Sequence, residues 1–125
     1  MADLTVKRED ELETSAGGAF KLLRHSLELS AFGIQIVQLP PNADGYPEHD
    51  HSEDGQEECY IVIEGSAELL AGDERHELEP GVYARVGAGQ SRKLLPGDAG
   101  VKLVVIGGVI GKPYEISRFS RPDSS

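Results

Sequence analysis

Apolar residues recur along this chain with a period of two rather than 3.6. Leu27, Leu29 and Ala31 alternate with Ser26, Glu28 and Ser30, and Phe32, Ile34 and Ile36 alternate with Gly33 and Gln35. Strands are further predicted over residues 58–64, 67–70, 75–79, 82–86, 91–95 and 101–106. Turn chemistry separates them: Pro40-Pro41-Asn42, Glu64-Gly65, Ala71-Gly72-Asp73, Pro80-Gly81 and Pro96-Gly97-Asp98. Many short strands at this spacing predict an all-β sandwich or barrel. Helix is expected at most as a turn within residues 10–23, where Gly17-Gly18 interrupts it. The ends, about 1–10 and 119–125, are expected to fray or to be borrowed by a partner subunit.

A chain of 125 residues is one domain's worth. With no Trp, its core must come from Val, Ile, Leu and Ala. The single cysteine, Cys59, permits no internal disulfide and fits a reducing compartment. No apolar run resembles a signal peptide or a membrane span, so the cytoplasm is the expected location.

Charge localises the chemistry. The net charge of -10 excludes nucleic acid as a partner, because phosphate binding needs a basic face, and it disfavours an anionic membrane surface. Seven acids (Asp44, Glu48, Asp50, Glu53, Asp54, Glu57 and Glu58) lie within residues 44–58, which contain no Lys or Arg. The remainder of the chain carries only -3. The same stretch holds His49 and His51, whose i, i+2 spacing puts both imidazoles on one face of an extended backbone. Two neutral imidazoles with a nearby carboxylate suit a borderline divalent metal such as Zn, Fe, Mn, Ni or Cu.

Glu58 followed by six residues and Gly65, preceded by the H-x-H pair, resembles the first motif of the cupin superfamily. Gly81-Val-Tyr-Ala-Arg-Val-Gly87-Ala-Gly89-Gln-Ser-Arg92 resembles the second. The likeness spans about residues 30–108. It departs in three places: Gly45 sits close to the pair, the 52–57 loop is long, and Arg92 stands where the family has a third His. The resemblance implies a double-stranded β-helix, or jelly-roll barrel, built as a single domain with its core at about 24–108 and a site at the mouth. It implies His49, His51 and Glu58 as metal ligands for Fe, Mn, Ni or Zn. Tyr60, on Glu58's face, is expected to line the pocket. A small-molecule ligand and a homodimer are the expected partners, the dimer forming over the outward face that Ile61 and Ile63 share with Cys59.

Guanidinium has no lone pair to offer a metal, so Arg92 leaves three arrangements open. It swings to the rim and clamps an anionic substrate while the other three residues hold a metal. It pairs with Glu58 in a metal-free barrel that binds a ligand or serves a structural role. Or Glu53, Asp54 or Glu57 replaces the missing ligand. His25 and His76 are expected to face solvent, and Cys59 to be an inert packed thiol. Asp50-x-Ser52-x-Asp54-Gly55 imitates a calcium loop, but Ile61 occupies the position that requires a bidentate Glu.

Overall fold

In the computed structural model, which describes residues 2–116 and Pro122, the alternation Gln56, Glu58, Tyr60, Val62 points one way along a strand and Glu57, Cys59, Ile61, Ile63 the other. The inward set carries the fold's core. Seven strands form one antiparallel sheet: β1 (Thr14–Ser15), β2 (Phe20–Lys21), β3 (Gly33–Leu39), β4 (Gln56–Ala71), β5 (Glu74–Leu78), β6 (Tyr83–Val86) and β7 (Lys93–Val109). The order is β1-β2-β3-β7-β4-β5, with β6 on the free side of the first half of β4. Val37, Tyr60, Leu69, Leu78, Leu94 and Leu103 fill the interior, each 5 % exposed or less.

β4 and β7 are each longer than predicted. The segments 58–64 and 67–70 are one strand, and so are 91–95 and 101–106. The turn residues between them bend these strands instead of ending them. The β4–β7 register slips between Val62 and Glu64 and again between Gly65 and Ala67, and such bulges let a strand turn the corner from one layer to the next. Gly65 (φ 74°) and Gly100 (φ 75°) meet at that corner. A Cβ on Gly65 would lie 2.1 Å from the Gly100 carbonyl oxygen, and one on Gly100 2.7 Å from that of Leu39.

The amino-terminal third departs from expectation. Residues 23–27 form the short helix α1 (Leu23–Leu27) instead of entering a strand, and residues 14–15 and 20–21 extend the sheet. Over so few residues, Leu23 and Leu27 satisfy a helical spacing as well as Leu27 and Leu29 satisfy a strand. Glu28, at φ 59°, closes the helix with its N–H on the Arg24 and His25 carbonyls, and Arg24 Nη1 donates to the Leu29 carbonyl at 3.0 Å. Buried Leu22 precedes this helix, which packs on β3. The start of the chain is anchored: Glu9 receives Lys21 Nζ at 2.5 Å and Lys102 Nζ at 2.7 Å. Segment 119–125, Pro122 apart, lies outside the described residues.

Candidate metal centre

The 52–57 loop is shaped by Asp54. Its carboxylate accepts from the Gln56 N–H (3.1 Å) and the Gln56 side-chain amide (3.3 Å), and it faces His51 Nδ1 at 3.1 and 3.2 Å. The Gly55 N–H donates to the His51 carbonyl at 2.8 Å, which folds the loop back so that β4 starts at Gln56. The extra length is thereby absorbed, and Glu58 stays on the inner face.

The H-x-H segment is pinned to the second-motif loop. His49 and Arg92 exchange backbone hydrogen bonds of 3.0 and 2.9 Å, and the His51 N–H donates to the Ala88 carbonyl at 2.8 Å. Both imidazoles therefore turn inward on one face, with ring centroids 5.2 Å apart. The ring of Tyr46, 5.6 Å from that of His49, backs the pair, and Phe20 backs Tyr46 at 6.3 Å.

His49, His51 and Glu58 place one ligand atom each within 4.8 Å of the others. The hydrogen-bond partners fix which atoms are available. His49 Nδ1 lies 3.0 Å from the Pro47 carbonyl, which can only accept, so Nδ1 carries the proton and Nε2 keeps its lone pair. His51 Nδ1 faces the Asp54 carboxylate with the same consequence. His51 Nε2 is buried, lacks a hydrogen-bond partner, and lies 3.4 Å from Glu58 Oε2. Glu58 Oε1 accepts from the Tyr60 hydroxyl at 3.0 Å, leaving Oε2 toward His51. Two Nε2 donors and one carboxylate oxygen, each with its other polar atom already held, fit a divalent transition metal.

The electrostatics agree. The Glu58 carboxylate, with Asp54, raises the His51 pKa above its ordinary value although burial opposes this. Burial pushes the Glu58 carboxyl up, but the facing His51 imidazole, the Tyr60 hydroxyl and the Arg92 charge together bring it below the usual range. Burial, followed by the neighbouring Tyr46 and the Glu58 charge, raises Tyr60, so its hydroxyl remains a donor to Glu58.

Arg92 is completely buried, with Nη2 donating to the Gly87 carbonyl at 2.9 Å and, at the limit of 3.5 Å, to that of Val86. It is thus not at the rim, and among the described residues no ion pair joins it to Glu58. Its Nε and Nη1 have no protein partner. The reserve acids are engaged elsewhere or stay outside: Asp54 orients His51, Glu57 pairs with Arg85 at 3.2 Å, and exposed Glu53 is not part of the cluster. Spacing alone could not separate a carboxylate that binds a metal from one that orients its ligand. Tyr46 and Tyr114, which also bear on this interior, were missed; a lone aromatic in a polar loop or tail was the only signal. His25 and His76 pair with Glu13 and Glu74 at the surface, and Cys59 is half-buried on the opposite face of β4.

The model of the cupin domain matches residues 35–107, which contain both motifs. This chain belongs to the cupin family. Among solved structures, a cupin protein from Bacteroides fragilis is similar over 94 % of this chain and 93 % of its own, with 19 % identity and a TM-score of 0.73. A sugar phosphate isomerase of the cupin superfamily from Silicibacter pomeroyi is 27 % identical over 78 % of this cupin and 71 % of its own chain, with a TM-score of 0.65. A Cupin 2 conserved barrel domain protein from Salinispora arenicola is 20 % identical over 65 % and 66 %, with a TM-score of 0.56. No curated protein gives a significant match. No helix among the described residues is long and apolar enough to cross a membrane.

Proposed function

We propose that this cupin, acting as a single-domain protein in a reducing compartment such as the cytoplasm, holds Fe, Mn, Ni or Zn on His49, His51 and Glu58 and binds a small polar metabolite beside it. The observation that carries this reading is the disposition of the two imidazoles: each has Nδ1 held by an oxygen, and each brings a ligand atom within 4.8 Å of the others in one cluster with Glu58. A metal held by these three residues would supply Lewis acidity toward an oxygen of the metabolite. The chain's own residues then supply the rest. Asp54 fixes the His51 tautomer, Tyr60 holds one Glu58 oxygen, and the Tyr46 ring packs against that of His49.

Arg92 favours an anionic group on the metabolite. A buried guanidinium with two nitrogens lacking protein partners is costly, on the order of 1–3 kcal/mol for each unmatched group, and a carboxylate or phosphate would offset that cost. The sugar phosphate isomerase among the similar structures is consistent with a sugar phosphate or a related compound. The partially exposed outward row of β4, including Ile61 and Ile63, is the face on which a homodimer would form.

The same guanidinium supports a second reading, in which its charge takes the place of a metal and the barrel binds an anionic ligand without one. Arg92→His separates the two. Under the first reading the parent already binds Mn²⁺ or Zn²⁺ with about one ion per chain, and the substitution tightens binding. Under the second the parent binds neither ion, and only the variant does.

A further inference from the structure

Five strands contribute to one row of side chains on the outer face of the sheet. Lys21 of β2 is in register with Ile36 of β3, Ile36 with Val104 of β7, Val104 with Ile61 of β4, and Ile61 with Tyr83 of β6. Residues in register share a face, so an apolar band crosses the sheet from Ile36 to Tyr83. Its first end is buried, Ile36 being 9 % exposed. Its far end is open to solvent: Tyr83 is 67 % exposed, and Ile63, two residues along β4 from Ile61, is 47 % exposed.

The chain carries a second uncovered apolar strip. Leu4 and Val6 are 73 % and 76 % exposed, and their i, i+2 spacing puts both on one face of an extended segment. Residues 2–7 make no hydrogen bond with any described residue, so this arm has its backbone donors and acceptors free. Its root, in contrast, is fixed. Glu9 is held by Lys21, the first residue of the row, and by Lys102, and the Arg8 N–H donates to Glu11 Oε1 at 2.8 Å. The arm thus starts at one end of the band, yet neither Leu4 nor Val6 is buried on it.

We propose that this arm, residues 2–8, packs on the open end of the band of a second copy of the chain, each copy lending its arm to the other across a two-fold axis. The two strips are complementary halves of an isologous contact that is made twice. β6 has β4 on one side and no described strand on the other, so its edge can take the arm's free N–H and C=O groups as an added strand. Charge agrees. Lys7 and Arg8 against Asp3 make the arm net positive in a chain of charge -10, and Glu57 and Glu64 stand on β4 beside the band. Size argues that arm and sheet face bury together, because seven residues fall short of the about 800 Å² that each partner gives to a stable interface. The inference rests on the homodimer reading given above and adds the element that closes the dimer.

Sedimentation velocity of the tag-free full chain at micromolar concentration tests this. The parent is expected to be a dimer. Leu4→Asp combined with Val6→Asp weakens the dimer about a hundredfold or more, the loss that follows when two buried aliphatic side chains become carboxylates. The far-ultraviolet circular dichroism of that variant stays parental, because both positions are exposed within the single chain. Exchange is read separately with Leu4→Cys and Val6→Cys, each oxidised in the presence of the native Cys59 on the same outer face. The expected product is a disulfide between two chains that is lost when Cys59→Ser is added. A monomeric parent overturns the proposal and the homodimer reading with it. A double variant that dimerises like the parent, or a Cys59 disulfide that closes within one chain, overturns the arm exchange alone. If Tyr83→Asp then dissociates the dimer, the sheet-face homodimer stands without the arms.

Discussion

His51 Nε2 and Glu58 Oε2 face each other at 3.4 Å in the barrel interior, both side chains nearly buried. Without a metal, a proton on Nε2 makes this contact an ion pair, the state that the raised His51 and lowered Glu58 pKa favour. A cation of higher charge competes for the same position, so proton and metal binding are linked.

The metal-free protein is therefore expected to have a stability maximum in mildly acidic solution. His51 has a raised pKa, so its contribution is complete below the ordinary value of 6.5 and is lost as pH rises through the folded-state value. Glu58 has a lowered pKa, so its contribution is present above 4.5 and is lost as pH falls through its own folded-state value. After EDTA treatment, the unfolding midpoint should fall between pH 6 and pH 8.5. With Zn²⁺ present it should rise over the same interval, because the ion displaces the His51 proton. Parallel curves with and without Zn²⁺ would contradict the linkage.

Asp54→Asn tests orientation separately from ligation. Asn leaves the loop's size unchanged but removes the carboxylate that holds His51 Nδ1–H. Metal affinity should drop roughly 10-fold or somewhat more, while Glu53→Gln, at an exposed residue outside the cluster, should leave it unchanged. Equal effects from the two substitutions would show that the acidic loop acts only through its overall charge.

The corner at Gly65 predicts a large stability effect far from the site. An alanine there must adopt φ 74° and place its Cβ 2.1 Å from the Gly100 carbonyl oxygen. Backbone strain alone costs about 1–3 kcal/mol, and the clash forces β4 and β7 apart. Gly65→Ala is expected to lose more than about 2 kcal/mol in urea unfolding. Gly45→Ala, with nothing near its Cβ and no positive φ, should behave as the parent.

Glu9 closes the amino-terminal segment onto the sheet. Lys102 and then Lys21 hold its carboxyl down to about 2. Because the folded-state pKa is depressed, the clamp is complete above the ordinary 4.5 and fails only as pH falls toward 2. As an exposed ion pair it is also screened by salt. Glu9→Gln should speed proteolytic cleavage within residues 2–20 at low ionic strength, and 1 M NaCl should reduce the difference from the parent. An unchanged cleavage rate would mean that β1 and β2 hold this segment unaided.

Legibility in the sequence followed the range of the interactions. The runs at 75–79 and 82–86 located β5 and β6 to within a residue, but β3, expected to end at Ile36 with Phe32, Ile34 and Ile36 as its apolar face, runs on to Leu39 and turns Val37 and Leu39 into the core instead. The turn signal at Gly65 was correctly located but misread as an end. Whether a glycine with positive φ stops a strand or bends it depends on what lies across the gap, here Gly100. The three metal-ligand candidates were readable because their spacing is local. The positions of Arg92 and Asp54 were not, since each is decided by a backbone or side chain that the fold brings in. Tyr114 left no pattern at all: its position follows from an absent side chain 81 residues earlier, at Gly33.

The account is tested most directly by metal analysis of tag-free protein, reconstituted separately with Fe²⁺, Mn²⁺, Ni²⁺ and Zn²⁺ and then desalted. The parent is predicted to retain about one ion per chain of at least one of these metals, and His51→Ala and Glu58→Gln to retain far less while remaining folded. Substoichiometric metal in the parent that does not rise with any of the four ions would contradict it.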